Sequence, residues 1–150
     1  MSDLISTDHP LTEPERDTLF ALLDTLVPAN DELGMPSAAS TNFDDYLKNQ
    51  AQDLLPVLKA SLAHFDGAFS DLSLQARVER VSAFSADQPE LFMALLPRVY
   101  DCYYQDDRVR QQIGMVTGPV FPQGNEVMPG DLSLLDPVIE RESSHRYRET

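Results

Sequence analysis

The sequence predicts an all-α fold: an irregular bundle of five or six helices, followed by an extended C-terminal segment that wraps across it. Two patterns support this prediction. Apolar side chains recur every three or four residues between residues 12 and 114, which is the spacing of one face of an α-helix. Residues 115–130 instead contain three prolines and three glycines and show no sustained period. With 150 residues and 42% apolar composition, the chain is long enough to bury a core.

These patterns divide the chain into three expected regions. Residues 1–11 form a flexible N-terminal arm, residues 12–114 form the helical domain, and residues 115–150 form an extended segment that packs on the domain or on a partner. A segment so poor in apolar periodicity needs another surface in order to become ordered.

The first helix is expected to begin at Thr12 and to stop at Pro28. Thr12 and Glu15 have the spacing of a capping box, in which each side chain accepts from a backbone amide at the other end of the turn. Apolar residues then follow at helical spacing: Leu19, Leu22, Leu23, Leu26 and Val27. In the next loop, Gly34 and Pro36 are expected to set the turns.

Two helices should follow this loop. The first covers residues 42–50 and buries Phe43, Tyr46 and Leu47. The second begins near Asp53 and ends at Gly67. Pro56 is tolerated in its first turn because first-turn amides have no intrahelical partner. The apolar face of this helix comprises Leu55, Leu58, Leu62 and Phe65.

A further helix is expected to start after Ser73 and to reach about Phe84. Its packed face comprises Leu74, Val78 and Val81. Asp87 should cap the next helix, which continues to Tyr103. Pro97 should kink or divide that helix, because its ring removes a donor and displaces a carbonyl.

The last helices are expected to be short. One covers residues 106–113 and is ended by Gly114, since glycine readily adopts the left-handed conformation that closes a helix. One helical turn over residues 131–135 precedes a polar C-terminal end.

The net charge of −14 disfavours two kinds of partner. An acidic surface repels phosphate backbones and anionic lipid, so we expect no nucleic-acid binding and no direct membrane insertion. Either the charge serves solubility alone, or it steers the protein toward a basic partner. The first sixteen residues lack a basic region followed by an apolar stretch, so we expect a cytoplasmic location. A periplasmic location stays open if a leader was removed or if a partner carries one.

The residues that could carry chemistry are sparse. A lone cysteine, Cys102, rules out an internal disulfide, a thiolate zinc cluster and a Cys-ligated iron–sulfur centre within the chain. His9 and His145 fall in expected terminal arms, and His64 is expected to be a packed or surface histidine. Carboxylate pairs such as Asp106 and Asp107 are better explained as favourable charges at a helix N-terminus. We therefore expect no catalytic, metal or cofactor-binding residue in this chain.

An aromatic and proline-rich surface is the remaining candidate site. Tyr100 and Tyr103 are expected to seal the core of the domain. Tyr104 is expected to face a partner, because tyrosine buries a large rigid ring while its hydroxyl keeps a polar contact. Three residues of the following segment complete the candidate partner-binding set: Val120, Phe121 and Pro122. Phe121 could equally pack into its own domain.

Three stretches together resemble the gluconate 2-dehydrogenase subunit 3 family. They are LTEPERDTLFALLDTLVPANDELGMPSA from residue 11, YDCYYQDDRVRQQIG from residue 100, and GPVFPQG from residue 118. The resemblance runs from about residue 11 to residue 125 and depends on the order and spacing of the stretches. The matching positions have structural roles: Leu26, Pro28, Gly34, Pro36, Tyr103, Tyr104, Val109, Gly114 and Gly118.

The resemblance implies a role without a reaction. Members of this family accompany flavin-dependent sugar and alcohol dehydrogenases of the glucose–methanol–choline type, in which the large subunit carries FAD and oxidises the substrate. The small subunit supports the folding, stability or export of the large one. Many members begin with a twin-arginine leader, which this sequence does not show. That difference favours either a cytoplasmic complex or a mature or engineered chain.

Two other classes of function compete with an accessory subunit. An acidic regulatory protein could imitate nucleic acid and occupy a basic site on another protein, which would require its acids on one exposed face. A small cofactor-free helical enzyme is disfavoured, because the three histidines share no helical face.

Overall fold

A computed structural model describes residues 9–118, 130 and 132–137. The chain divides into two compact units after Gly118. Six α-helices lie in the first unit: α1 (Glu13–Leu26), α2 (Phe43–Asn49), α3 (Leu55–Leu62), α4 (Leu74–Asp87), α5 (Pro89–Gln105) and α6 (Asp107–Gln112). The described part of the second unit contains a 3₁₀ turn, Leu132–Leu135, where one helical turn was expected. No β-strand occurs in these residues, so the predicted all-α class is confirmed.

Helices α1 and α4 begin where the sequence places their caps. The Thr12 hydroxyl accepts from the Glu15 amide, and a Glu15 carboxylate oxygen accepts from the Thr12 amide at 2.8 Å, which completes the predicted capping box. The Ser73 hydroxyl accepts from the Ala76 amide at the start of α4, without a reciprocal bond. Gly34 and Gly114 both have positive φ (62° and 79°), a conformation that glycine adopts without strain. The turns predicted at these two glycines are confirmed.

The core lies between α1, α3, α4 and α5, and α2 and α6 add buried residues to it. Leu19, Leu22 and Leu23 supply the face of α1, and Phe43, Tyr46 and Leu47 are buried as predicted. Three phenylalanine rings meet between α3 and α4. Phe65 lies 4.5 Å from Phe69 and 5.2 Å from Phe84, measured between ring centroids. Such tilted pairs add to the stability that burial of the rings provides.

The predicted start of the domain at residue 12 is too late. Leu11 is only 4% exposed and belongs to the core. His9 is also held, because its Nδ1 accepts from the Leu11 amide at 3.1 Å and its Nε2 lies 3.2 Å from an Asp44 carboxylate oxygen. Residues 9–11 are therefore packed on the helical domain, and the rest of the expected arm, residues 1–8, lies outside the described residues.

Two helix ends differ from their predicted positions. Helix α3 ends at Leu62 and not at Gly67, because the amides of His64 and Phe65 bond to carbonyls three residues back, in the tighter 3₁₀ pattern. Helix α4 continues to Asp87, which was expected to cap α5. The residue between the two helices, Gln88, serves as the C-cap of α4 and the N-cap of α5.

The packed face of α4 is rotated from the predicted one. Leu74 and Val78 are exposed, whereas Val81 and Phe84 are buried. Arg77 occupies the side that faces α1, where it donates to the Ala21 carbonyl at 3.0 Å and to the Asp24 carboxylate at 2.9 Å. Arg77 thus packs against the domain on the side where the apolar pattern had predicted Leu74 and Val78 to be buried.

Helix α5 carries both the main core face and the candidate site. It runs undivided from Pro89 to Gln105, so Pro97 does not break it. Leu95, Val99 and Tyr103 are buried on the inner face. The prediction that Tyr103 seals the core is confirmed, but the same prediction for Tyr100 is wrong, because 42% of Tyr100 is exposed.

Candidate binding surface

An apolar stripe runs along the outer face of α5. Met93, Pro97, Tyr100 and Tyr104 follow one another at intervals of four, three and four residues, which places them on one side of a helix. All four are exposed, with Met93 at 62% and Tyr104 at 50%. The stripe is about 16 Å long at 1.5 Å per residue. Large apolar groups exposed side by side in this way are typical of a surface that another molecule covers.

The tyrosine end of the stripe is anchored to the core. The Tyr104 ring lies 6.4 Å from that of Tyr100 and packs edge-on against that of Tyr103 at 5.4 Å. Tyr103 is buried, and its hydroxyl donates to the Pro36 carbonyl at 2.8 Å. Burial also raises the pKa of Tyr103. Tyr104 is therefore presented by a fixed neighbour, which lowers the entropy lost when a partner covers it.

One edge of the stripe is acidic. Glu90 and Asp101 are eleven residues apart on α5, so they lie on the same side of the helix, next to the stripe. Both are exposed, and neither forms an ion pair within the described part of the chain. Asp101 accepts from the Tyr46 hydroxyl at 2.6 Å, and burial together with this hydrogen bond raises the pKa of Tyr46.

A polar cleft of about 210 Å³ lies beyond Asp101, between α2 and the C-terminal end of α5. Six of its eight lining residues carry a side-chain amide or carboxylate, and the other two are Tyr46 and Cys102. Its lining comprises Asn42, Asp45, Tyr46, Asn49, Gln50, Cys102, Gln105 and Asp106. Burial raises the pKa of the Cys102 thiol, so the reactive thiolate is disfavoured there. Asp106 is already held by Arg108, whose Nη2 lies 2.8 Å from it. Neither Cys102 nor Asp106 is therefore activated as a nucleophile by its described neighbours.

The histidines within the described residues have structural neighbours. His64 packs against Phe84 with ring centroids 5.3 Å apart, and His9 lies beside Asp44. Among residues 9–118, 130 and 132–137, no group of three His, Cys, Asp or Glu side chains is arranged to hold a metal ion. No helix in the same residues combines the length and the apolar character needed to cross a bilayer.

The predicted partner-binding residues can be placed only in part. Tyr104 lies in the stripe and is half exposed. Val120, Phe121 and Pro122 lie outside the described residues. Sequence reasoning missed Met93 and Pro97 and assigned Tyr100 to the core. The signal was present in the spacing, because all three share a helical face with Tyr104.

The fold and the stripe together define a helical protein with a solvent-facing apolar helix face. Comparison with known proteins extends this no further, since no protein-family model, no curated protein and no solved structure matches the chain.

Proposed function

We propose that this chain is a non-catalytic small subunit that binds and stabilises a larger flavin-dependent sugar or alcohol dehydrogenase. The observation that carries the binding role is the exposed stripe of α5 with its anchored Tyr104. The identity of the partner rests on the resemblance to the gluconate 2-dehydrogenase subunit 3 family. In this proposal FAD and the oxidation of the substrate belong to the large subunit.

The mechanism of stabilisation is mass action. A small subunit that binds only the folded large subunit raises the free energy of unfolding of the large subunit. The increase grows with the logarithm of the ratio of the free small-subunit concentration to Kd. The small subunit needs no reactive group for this purpose. It needs a surface that is already formed, and α5 presents one because its opposite face is locked into the core.

The distribution of charge favours this proposal over an acidic regulator that imitates nucleic acid. Such a regulator requires its acids on one exposed face. Acids from several elements are instead bonded within the described part of the domain, in six ion pairs between arginines and Asp24, Asp44, Asp53, Asp66, Asp106 and Asp107. The free edge beside the stripe is narrow and accompanies an apolar surface.

The proposal is tested by recovering the complex. The tagged chain is purified from the organism that encodes it, and the co-purifying protein is identified by mass spectrometry and by its flavin absorbance. We expect a flavoprotein dehydrogenase in fixed stoichiometry whose heat inactivation slows when the small subunit is added. Dehydrogenase activity or bound flavin in the isolated small subunit would contradict the proposal, as would a partner without flavin.

A further inference from the structure

The stripe of α5 and its acidic edge together specify the chemistry of the surface that covers them. The stripe consists of Met93, Pro97, Tyr100 and Tyr104, and the edge of Glu90 and Asp101. Neither carboxylate forms an ion pair within the described residues, although six arginines of the domain are each paired with another aspartate. Those arginines are Arg16, Arg77, Arg80, Arg98, Arg108 and Arg110.

The arginine of α5, Arg98, neutralises this edge only in part. It donates to Asp53 at 2.7 Å and also lies close enough to Asp101 to interact with its charge, so one guanidinium is shared between two carboxylates. The edge therefore presents net negative charge beside the exposed apolar rings. A partner that covers the rings must either supply cations there or remove carboxylates from water with little compensation, which is unfavourable.

A second copy of this chain is a poor occupant of the surface. Two copies packed through α5 about a two-fold axis would bring two equal acidic edges into one interface, between molecules that each carry a net charge of −14. Like charges brought together in an interface suppress association.

We propose that the α5 stripe docks into an apolar groove of the large subunit, and that lysine or arginine side chains line the groove where it meets Glu90 and Asp101. This inference rests on the proposed function and names the surface and the partner chemistry that it uses. The rings hold the complex together once it has formed. The acidic edge steers the approach and sets the orientation of the helix in the groove.

The test measures association and dissociation rates between the purified chain and the flavoprotein recovered with it, at several salt concentrations. Tyr100→Ser with Tyr104→Ser should raise the dissociation rate constant at least ~10-fold, because buried tyrosines dominate the energy of many interfaces. Glu90→Gln with Asp101→Asn should lower the association rate several-fold at low salt and flatten its salt dependence. Asn at position 101 keeps an acceptor for the Tyr46 hydroxyl.

Matched control variants distinguish an effect of the α5 surface from a general effect of losing charge or apolar area. Glu13→Gln with Asp17→Asn also removes two negative charges, but from α1. Leu33→Ser removes an exposed apolar side chain from a loop. Both should bind like the wild type. Met93→Ser tests the opposite end of the stripe if the tyrosine variant proves unstable in thermal unfolding.

The outcomes distinguish the two proposals. If the wild type binds no flavoprotein, the proposed function fails. If it binds one and the folded tyrosine and Met93 variants bind equally well, the docking surface lies elsewhere and the inference is overturned. If the acidic-edge variant shows the salt dependence of the α1 control, the basic groove is wrong. A wild-type dimer that the tyrosine variant converts to a monomer would show that a second copy occupies the face.

Discussion

Asp106 shows how one side chain fixes the junction of two helices. It is the N-cap of α6, and its carboxylate accepts from the Arg108 amide at 2.9 Å and from the Arg108 guanidinium. The same guanidinium also donates to the Ser40 carbonyl at 2.8 Å, which ties α6 to the segment before α2. The bond to Arg108 holds the pKa of Asp106 below its ordinary value of 3.8.

This geometry predicts a dependence of stability on pH. Because the folded-state pKa of Asp106 is lowered, its contribution is fully present above the ordinary value of 3.8 and disappears as the pH falls through the folded-state pKa. Asp106→Asn keeps a capping side chain but loses the charge. We expect it to lower the free energy of unfolding by up to about 1 kcal/mol at neutral pH, a difference that vanishes in acid. Urea unfolding of both proteins across this pH range measures it.

The control for this prediction is Asp17→Asn. Asp17 is exposed and forms no ion pair within the described residues, so its replacement should change the free energy of unfolding much less. A loss at Asp106 that stayed constant down to the most acidic pH would show that the charge is not the stabilising feature.

At the scale of the element, helix α5 has two faces with different roles. Its inner face closes the core through Leu95, Val99 and Tyr103, while its outer face is the apolar stripe. Pro97 lies on the outer face, where its ring contributes apolar surface but cannot donate to the carbonyl of Met93. The helix continues through it because packing of the inner face outweighs the local loss.

Replacing this proline should therefore stabilise the isolated protein. Pro97→Ala restores a helical amide at an exposed position, and alanine is favoured over proline by about 3 kcal/mol inside a helix. The greater freedom of the unfolded chain offsets about 0.4–1 kcal/mol of that gain. We expect a net rise of about 2 kcal/mol in the free energy of unfolding, measured by chemical denaturation. Pro89→Ala should change the free energy of unfolding very little, because Pro89 lies in the first turn of α5, where a backbone amide has no intrahelical partner.

At the scale of the whole molecule, the charge of −14 works against the compact state. Self-repulsion acts over the entire surface, whereas each exposed ion pair contributes about 0–1 kcal/mol. Screening by salt should therefore weaken the repulsion between like charges more than it weakens the attraction within the ion pairs. We expect the Tm of the isolated protein to rise when sodium chloride increases the ionic strength from about 0.01 M to about 0.15 M, over which the screening length falls from about 30 Å to about 8 Å.

Thermal unfolding monitored by circular dichroism checks this expectation. A sucrose series serves as the comparison, because it stabilises by exclusion from the surface and not by screening. A Tm that falls with salt would show that the ion pairs outweigh the net repulsion.

Much of the fold could be predicted because its signals are local. The capping box at Thr12, the positive φ at Gly34 and Gly114, and the buried face of α2 each depend on residues within a few positions of one another. The candidate binding surface was harder to predict from the sequence. Tyr104 was identified by its residue type, while Tyr100 was assigned to the core because a helix as apolar as α5 offers more than one face that could be buried.

The sequence by itself determined the helical class, the order of the elements and the turns between them, because helix caps and apolar periodicity act over a single turn. Tertiary structure alone decided which side of α4 and of α5 is covered. Arg77, and not Leu74 or Val78, faces α1, and Tyr103 turns inward while Tyr100 and Tyr104 remain outside. The rotation of a helix about its axis depends on neighbours distant in sequence, and in α5 that rotation leaves the apolar stripe exposed.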